Sequence, residues 1–321
     1  ITAAPEYAID STQLGGIYAN RISLISTDNG VGVRMLGNAA ANAQDFTLTA
    51  AGKIELNNKI SANEKLSIQN TNSTVQQLNI NGSLTAKKLD IGSNTNNKID
   101  LKITDGSVYA DQTLNIDTNK ITANNAVLQA GAKNNLKSST QTILNTSEVL
   151  AGQTLDIQSQ SLHTSGITKL SSAQDNVNVN TSVNTELGNG IQVTAQKNIN
   201  LQAQGDVTIG NGQLKSIASD MVINAQNIAI NAQSSALNTR LAAKETARLE
   251  QNAVLSSTNN SLVDAQNIII DGKNYAKDGD LNATEKLLIG SSGIVSSSGQ
   301  LNFKATDLTI EGQALASGMN A

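Results

Sequence analysis

Few residues in this sequence could do chemistry, and each can be weighed against the pattern that such chemistry requires. His163 is the single histidine of the 321-residue chain. Ser161 and Ser165 flank it two residues away, so in a strand all three share a face. A nucleophilic triad also needs an acid that orients the imidazole, and the local sequence offers none. A solvent-facing histidine is therefore expected. One histidine and no cysteine remove clustered imidazole and thiolate metal sites. Asp278-Gly279-Asp280 resembles one fragment of a calcium-binding nonapeptide repeat, but that repeat must recur to build a site. Ala283 stands where a helix-loop-helix calcium loop needs glycine, so a polar loop is expected. No catalytic residue, metal site or cofactor site is assigned.

The glycines invite a phosphate reading. Gly32 and Gly37 have the spacing of a phosphate-binding loop, but Asn38 and Ala39 occupy the positions of its Lys and Ser/Thr. Gly30-Val31-Gly32 begins a dinucleotide fingerprint, with Met35 in place of the third glycine. Both readings fail on an essential residue. Turn chemistry remains: a strand at Ile22/Leu24, a tight turn at Asp28-Asn29-Gly30 and a new strand at Val31/Val33.

Composition narrows the elements that could position any site. Aromatic residues make up 2% and charged residues 15%; there is one proline and no cysteine or tryptophan. Asparagine is unusually common, at about 40 residues. A thick globular core normally draws on aromatic side chains for buried area. Small aliphatics with Asn, Ser and Thr suit a thin core drawn out along one axis. Regularly recurring Ile, Val and Thr argue for order rather than disorder. The net charge of −4 with both signs scattered excludes a nucleic-acid-binding stripe. No apolar run approaches the roughly 18 residues of a membrane span, and no basic-plus-apolar leader opens the chain. The chain begins Ile-Thr-Ala-Ala-Pro without Met, as expected of a piece of a longer polypeptide.

The period fixes the fold expectation. Apolar residues paired one residue apart recur along the chain: Phe46/Leu48, Leu66/Ile68, Leu89/Ile91, Leu114/Ile116, Leu155/Ile157, Val177/Val179, Ile199/Leu201, Ile228/Ile230, Ile268/Ile270, Leu287/Ile289 and Leu308/Ile310. Each pair points two side chains inward around one polar residue. Steps of 19 to 29 residues, mostly near 21, indicate a solenoid. Secondary pairs such as Ile54/Leu56 and Leu78/Ile80 supply further faces. The expected fold is all-β, a parallel β-helix (solenoid) of about 15 coils of roughly 21 residues. Proline is scarce because coil N–H groups are needed for ladders. Asn and Gly serve the corners, which need left-handed backbone, and stacked Asn can form amide ladders. Ser235–Gln251 has Leu237, Leu241 and charges at helix-compatible spacing; coils are favoured over a short outer helix, with an irregularity in the period. Asp90, Asp117 and Asp156 alternate outward between their pairs. No Arg joins them into a polysaccharide-cleaving site, so solvated acids are expected.

The run AIDSTQLGGIYANRISLISTDNGVGVR, Ala8 to Arg34, resembles the haemagglutinin-type segment of large exoproteins of Gram-negative two-partner secretion. The likeness rests on Ala8-Ile9-Asp10, Leu14-Gly15-Gly16, Tyr18-Ala19 and Gly30-Val31-Gly32-Val33. It is nearest to the contact-dependent growth inhibition exoproteins and the filamentous haemagglutinin-like adhesins. The resemblance implies a right-handed β-helix within a long surface filament. In that family an N-terminal secretion domain recruits an outer-membrane transporter, and inhibition members carry a C-terminal toxin. Neither the Asn-Pro motifs of the secretion domain nor the Val-Glu-Asn-Asn junction before a toxin occurs here. The expected organisation is a haemagglutinin-type segment over residues 1–45 and a continuous shaft over 46–321.

The expected function is that of a non-enzymatic shaft of a secreted cell-surface exoprotein, projecting a toxin or receptor-binding region toward a target cell. An adhesin binding surface ligands along its side is the alternative, and a β-helical polysaccharide lyase or hydrolase comes third. The implied partners are the two-partner secretion transporter, through a region outside this piece, and a target-cell receptor. No nucleic acid and no membrane insertion are expected, and no cofactor.

Overall fold

The computed structural model describes residues 5–12, 14–92 and 99–321. Residues 1–4, which open the expected first segment, lie outside the described residues. Those described are all-β, without a helix, and their strands pair in parallel. They form two compact units, Ile1–Gln160 and Ser161–Ala321. Each unit is a parallel β-solenoid, and the chain holds about 15 turns in all. A turn consumes from 18 residues (Met221 to Thr239) to 25 (Lys88 to Thr113).

In the first unit every coil passes over three faces; the opening coils lay a separate strand on each, while Ser83–Gly92 and Ser107–Asn124 run on over more than one. The opening coils show the order: Tyr7–Ser11, Ile17–Ala19 and Ile22–Ser26, then Gly32–Met35, Ala39–Ala41 and Phe46–Ala50. On the first face Ile9, Val33, Ile54, Leu78, Leu101 and Ile121 follow one another in register. On the second the column is Ala39, Ile60, Leu84, Val108, Leu128 and Val149. Ile22, Phe46, Leu66, Leu89 and Leu114 form the third. Alternation in a strand turns these residues to the lumen, where most are fully buried. Full burial stabilises each by about 1.5–3 kcal/mol relative to exposure.

The second unit repeats the plan. Its third face stacks Val179, Leu201, Ile223, Leu241, Val263, Leu281 and Phe303. Ser235–Gln251 falls into strands here: Gln233–Ala236, Thr239–Ala243 and Thr246–Leu249. Leu241 and Leu249 are buried in register with Ile223 and Ile230, while Leu237 sits at an exposed corner. The helical spacing was fortuitous. Leu241 and Leu249 complete columns begun by other coils, and Arg240 and Arg248 take the alternate, outward positions.

The lumen is more polar than the aliphatic period suggests. Asn134 is fully buried between Leu114 and Leu155 in one column. Its Nδ2 donates to the carbonyls of Leu128 and Leu150 at 2.9 and 3.0 Å, while Oδ1 finds no partner among the described residues. Ser138 bonds the hydroxyls of Thr142 (2.9 Å) and Ser159 (2.7 Å). In the second unit Thr239 bonds Ser257 at 2.6 Å and donates to Ser261 at 3.2 Å; Ser261 in turn donates to Asn274 at 3.0 Å. Buried polar groups are tolerated when paired, because an unpaired one costs about 1–3 kcal/mol.

Candidate functional site

The stretch Ala8–Arg34 is a coil with its return corner. Strands Ile22–Ser26 and Gly32–Met35 are joined by a turn in which Val31 donates to the Asp28 carbonyl at 3.0 Å. Gly30 lies in the left-handed region, with φ 80°, where a side chain would be strained. Ser26 Oγ closes the corner by donating to the Val31 carbonyl at 2.8 Å. The backbone N–H groups of Gly30, Val31 and Gly32 are spent on the carbonyls of Ala51, Asp28 and Glu6.

Polar residues of the same stretch lock the first coil to the second. Asp10 lies in register with Arg34. The Arg34 guanidinium donates twice to its carboxylate, Nε to Oδ1 at 2.9 Å and a terminal nitrogen to Oδ2 at 2.5 Å. Such a fork is among the stronger side-chain pairings. Arg34 also lies over the Tyr7 ring, 4.8 Å from its centroid. The guanidinium holds the Asp10 carboxyl below the usual carboxylate range. Gly37 is required by close approach: a Cβ there would collide with the Gly15 carbonyl oxygen. The motif therefore encodes an interlock between coils.

Outward residues pair along the stacking direction. Asn115 donates to Asp90 at 2.9 Å, and Asn135 donates to Asn115 at 2.7 Å. Asn200 donates to Asn178 at 2.8 Å and Asn282 to Asp264 at 2.9 Å. In each pair the amide of the later coil reaches back to an oxygen of the earlier one. The carboxylates singled out from sequence are kept apart by these amides. Asp90, Asn115, Asn135 and Asp156 share a column, whereas Asp117 sits in the neighbouring one beneath Lys137, its Oδ2 3.1 Å from the ammonium.

His163 does have an acid, supplied by the next coil. Its Nδ1 lies 2.9 Å from Glu186 Oε2, in register across the ladder. Both side chains are exposed, at 39% and 59%, and an ion pair so placed is worth at most about 1 kcal/mol. Asp278-Gly279-Asp280 opens the strand Asp278–Ile289 rather than forming a loop. Gly279 is buried, Asp278 Oδ1 accepts from the Gln300 N–H at 2.8 Å, and Asp280 Oδ1 accepts from Asn302 at 2.7 Å. The signal that could have found these pairs is a carboxylate or amide followed by an asparagine one coil later.

No family profile matches the chain, and no solved structure matches it. Curated relatives do. A 16S rRNA endonuclease CdiA of Enterobacter cloacae is 29% identical over 225 residues, 70% of this chain. A tRNA nuclease CdiA of an Escherichia coli strain is 31% identical over 184 residues, 57% of the chain. The tRNA nuclease CdiA-2 of Burkholderia pseudomallei is 52% identical over 59 residues, 18% of the chain. The chain is a homologue of CdiA proteins. CdiA denotes contact-dependent growth inhibition, the system toward which the motif at Ala8–Arg34 pointed. The chain spans 2 to 6% of the length of these CdiA proteins. Its parallel β-solenoid is the architecture expected of a segment of a CdiA shaft.

Proposed function

We propose that this chain is a non-enzymatic length of shaft in a secreted, toxin-bearing exoprotein of the CdiA kind, exposed at a Gram-negative cell surface. The observation that carries this reading is the repetition of one coil plan, held by columns of buried aliphatics and outward amide pairs. Each added coil extends the stack at nearly constant stability per unit. The nuclease named in the relatives would reside in another part of such a polypeptide. Its secretion would use an outer-membrane transporter engaged by a region outside these residues, and its far end would meet a receptor on the target cell. Coils folding outside the cell would retain exported chain without nucleotide hydrolysis.

Two changes in the parent exoprotein test this. Ile199 and Met221 are in register, so deleting residues 199–220 removes one whole coil. Secretion, protease resistance and growth inhibition should all survive, because the columns re-form across the cut. Leu201→Pro, which removes a ladder hydrogen bond inside a strand, should reduce secretion and open the segment to proteolysis. Loss of secretion on the coil deletion, or full resistance of Leu201→Pro, would count against the shaft.

A further inference from the structure

On the first unit, at the corner between the first and second faces, successive coils form an open, shallow groove of about 510 Å3. Asn57, Lys59, Asn81, Ser83, Asp105 and Ser107 line it. Asn81 donates to Asn57 Oδ1 at 2.9 Å, and Asn125, also on the wall, donates to Asp105 Oδ1 at 2.7 Å. Each of these pairs uses one amide hydrogen and one oxygen. The Asn81 carbonyl, the Asn57 amide hydrogens and the second Asp105 oxygen are left for a ligand. The groups that remain include both donors and acceptors, set on successive coils about 4.8 Å apart.

Past the groove edge the outward positions continue with a ring. Ser83 is in register with Ser107, and Thr85 with Tyr109. Ser107 and Tyr109 are alternate residues of the strand Ser107–Asn124 and share its outward side. Asp111, two residues further along the same side, pushes the Tyr109 hydroxyl pKa up. Lys59 and Asp105 balance each other in charge, so the groove attracts neither sign strongly.

We propose that this groove and Tyr109 bind a neutral oligosaccharide lying along the stacking direction. A polyol supplies donors and acceptors at every ring, as the amide and hydroxyl rows do, and its C–H face can stack on tyrosine. One pyranose unit is comparable in length to one coil step, so successive rings each meet a polar side chain of the next coil. A peptide fits less well, because Val127 is the single large apolar side chain on the wall.

The test is titration calorimetry of the full chain with cellohexaose, chitohexaose and mannohexaose, and with polygalacturonate as the acidic counterpart. One of the neutral hexasaccharides should bind saturably, with an affinity insensitive to salt. Asn81→Ala and Tyr109→Ala should each weaken it by about tenfold, the equivalent of one lost hydrogen-bonded or stacked contact. Asn200→Ala, which breaks an outward amide pair in the other unit, should leave binding unchanged. Unaltered melting of the variants separates binding from folding. No binding of any hexasaccharide at millimolar concentration, binding of polygalacturonate alone, or affinity that survives both substitutions would overturn the proposal. None of those results bears on the shaft, which the coil deletion tests separately.

Discussion

Two adjoining stretches of one column in the first unit solve the same packing problem differently. Phe46, Leu66, Leu89 and Leu114 stack as pure aliphatic and aromatic bulk. Asn134, next in line, puts an amide in the same lumen and answers it with two backbone carbonyls from the second face. The first arrangement gains from area removed from water and from dispersion contacts. The second sacrifices part of that gain and fixes its side chain by direction. An inward position in a solenoid is thus not obliged to be apolar. It is obliged to bury nothing that the neighbouring strands fail to pair, and Asn134 Oδ1 marks where that obligation is met incompletely.

The comparison breaks most visibly if the two solutions are exchanged. Leu114→Asn places an amide where no carbonyls are arranged for it and leaves a cavity, and should cost about 2–5 kcal/mol. Asn134→Leu restores the aliphatic column and removes an unpaired oxygen, and should raise stability by about 1 kcal/mol. Urea denaturation of the full chain reads both. Equal losses from the two would show that Asn134 is held by more than the bonds described.

A smaller effect is expected in the opening coils, where specificity resides in close approach. Gly37→Val drives a side chain into the Gly15 carbonyl and should destabilise by about 1–3 kcal/mol. Loss of protection from hydrogen exchange should be confined to residues 7–12, 14–19 and 32–41. Protection lost evenly through the first unit would mean that the opening coils do not fold as a separable cooperative patch.

Thr146 tests a corner. It lies at φ 47°, following Asp105 at 52° and Asn125 at 48° in the corners of the two preceding coils. A β-branched residue is ill-suited to that region, so Thr146→Asn should stabilise by about 1 kcal/mol, read as a higher melting temperature. A lower one would show that the threonine methyl or hydroxyl contributes more than its strain.

The smallest expected effect is that of pH on the interlock of the first two coils. Because Arg34 depresses the Asp10 pKa in the folded chain, the pairing contributes fully above the unfolded value of 3.8. It is lost as pH falls further, through the lower folded value. Exchange of Tyr7–Ser11 should quicken in that acid window while Phe46–Ala50 stays protected. Simultaneous loss of both would point to general acid unfolding.

Several of these features were legible in the residues alone. The inward pairs Leu66/Ile68 and Leu89/Ile91 announced strands, and the turn at Asp28-Asn29-Gly30 lies where the glycines suggested. Ser235–Gln251 was ambiguous because a short run cannot reveal whether Leu241 has a partner above or below it. The acid beside His163 was missed for the same reason: Glu186 is 23 residues away and becomes adjacent only when the coil closes. Asp278-Gly279-Asp280 read as a loop because local turn chemistry says nothing about a buried strand position.

The sequence by itself determined the periodicity, hence the parallel solenoid, since alternation within a strand and recurrence between strands are both written in residue type. Only the tertiary structure decided which residues of different coils meet. Coil length varies from 18 to 25 residues, and a single added residue at a corner changes what stacks above what. Contacts such as Asp10 with Arg34, or Asn134 with the carbonyls across the lumen, depend on that vertical alignment. It is set by the sum of all ladder hydrogen bonds and buried columns together, and no short stretch of chain contains it.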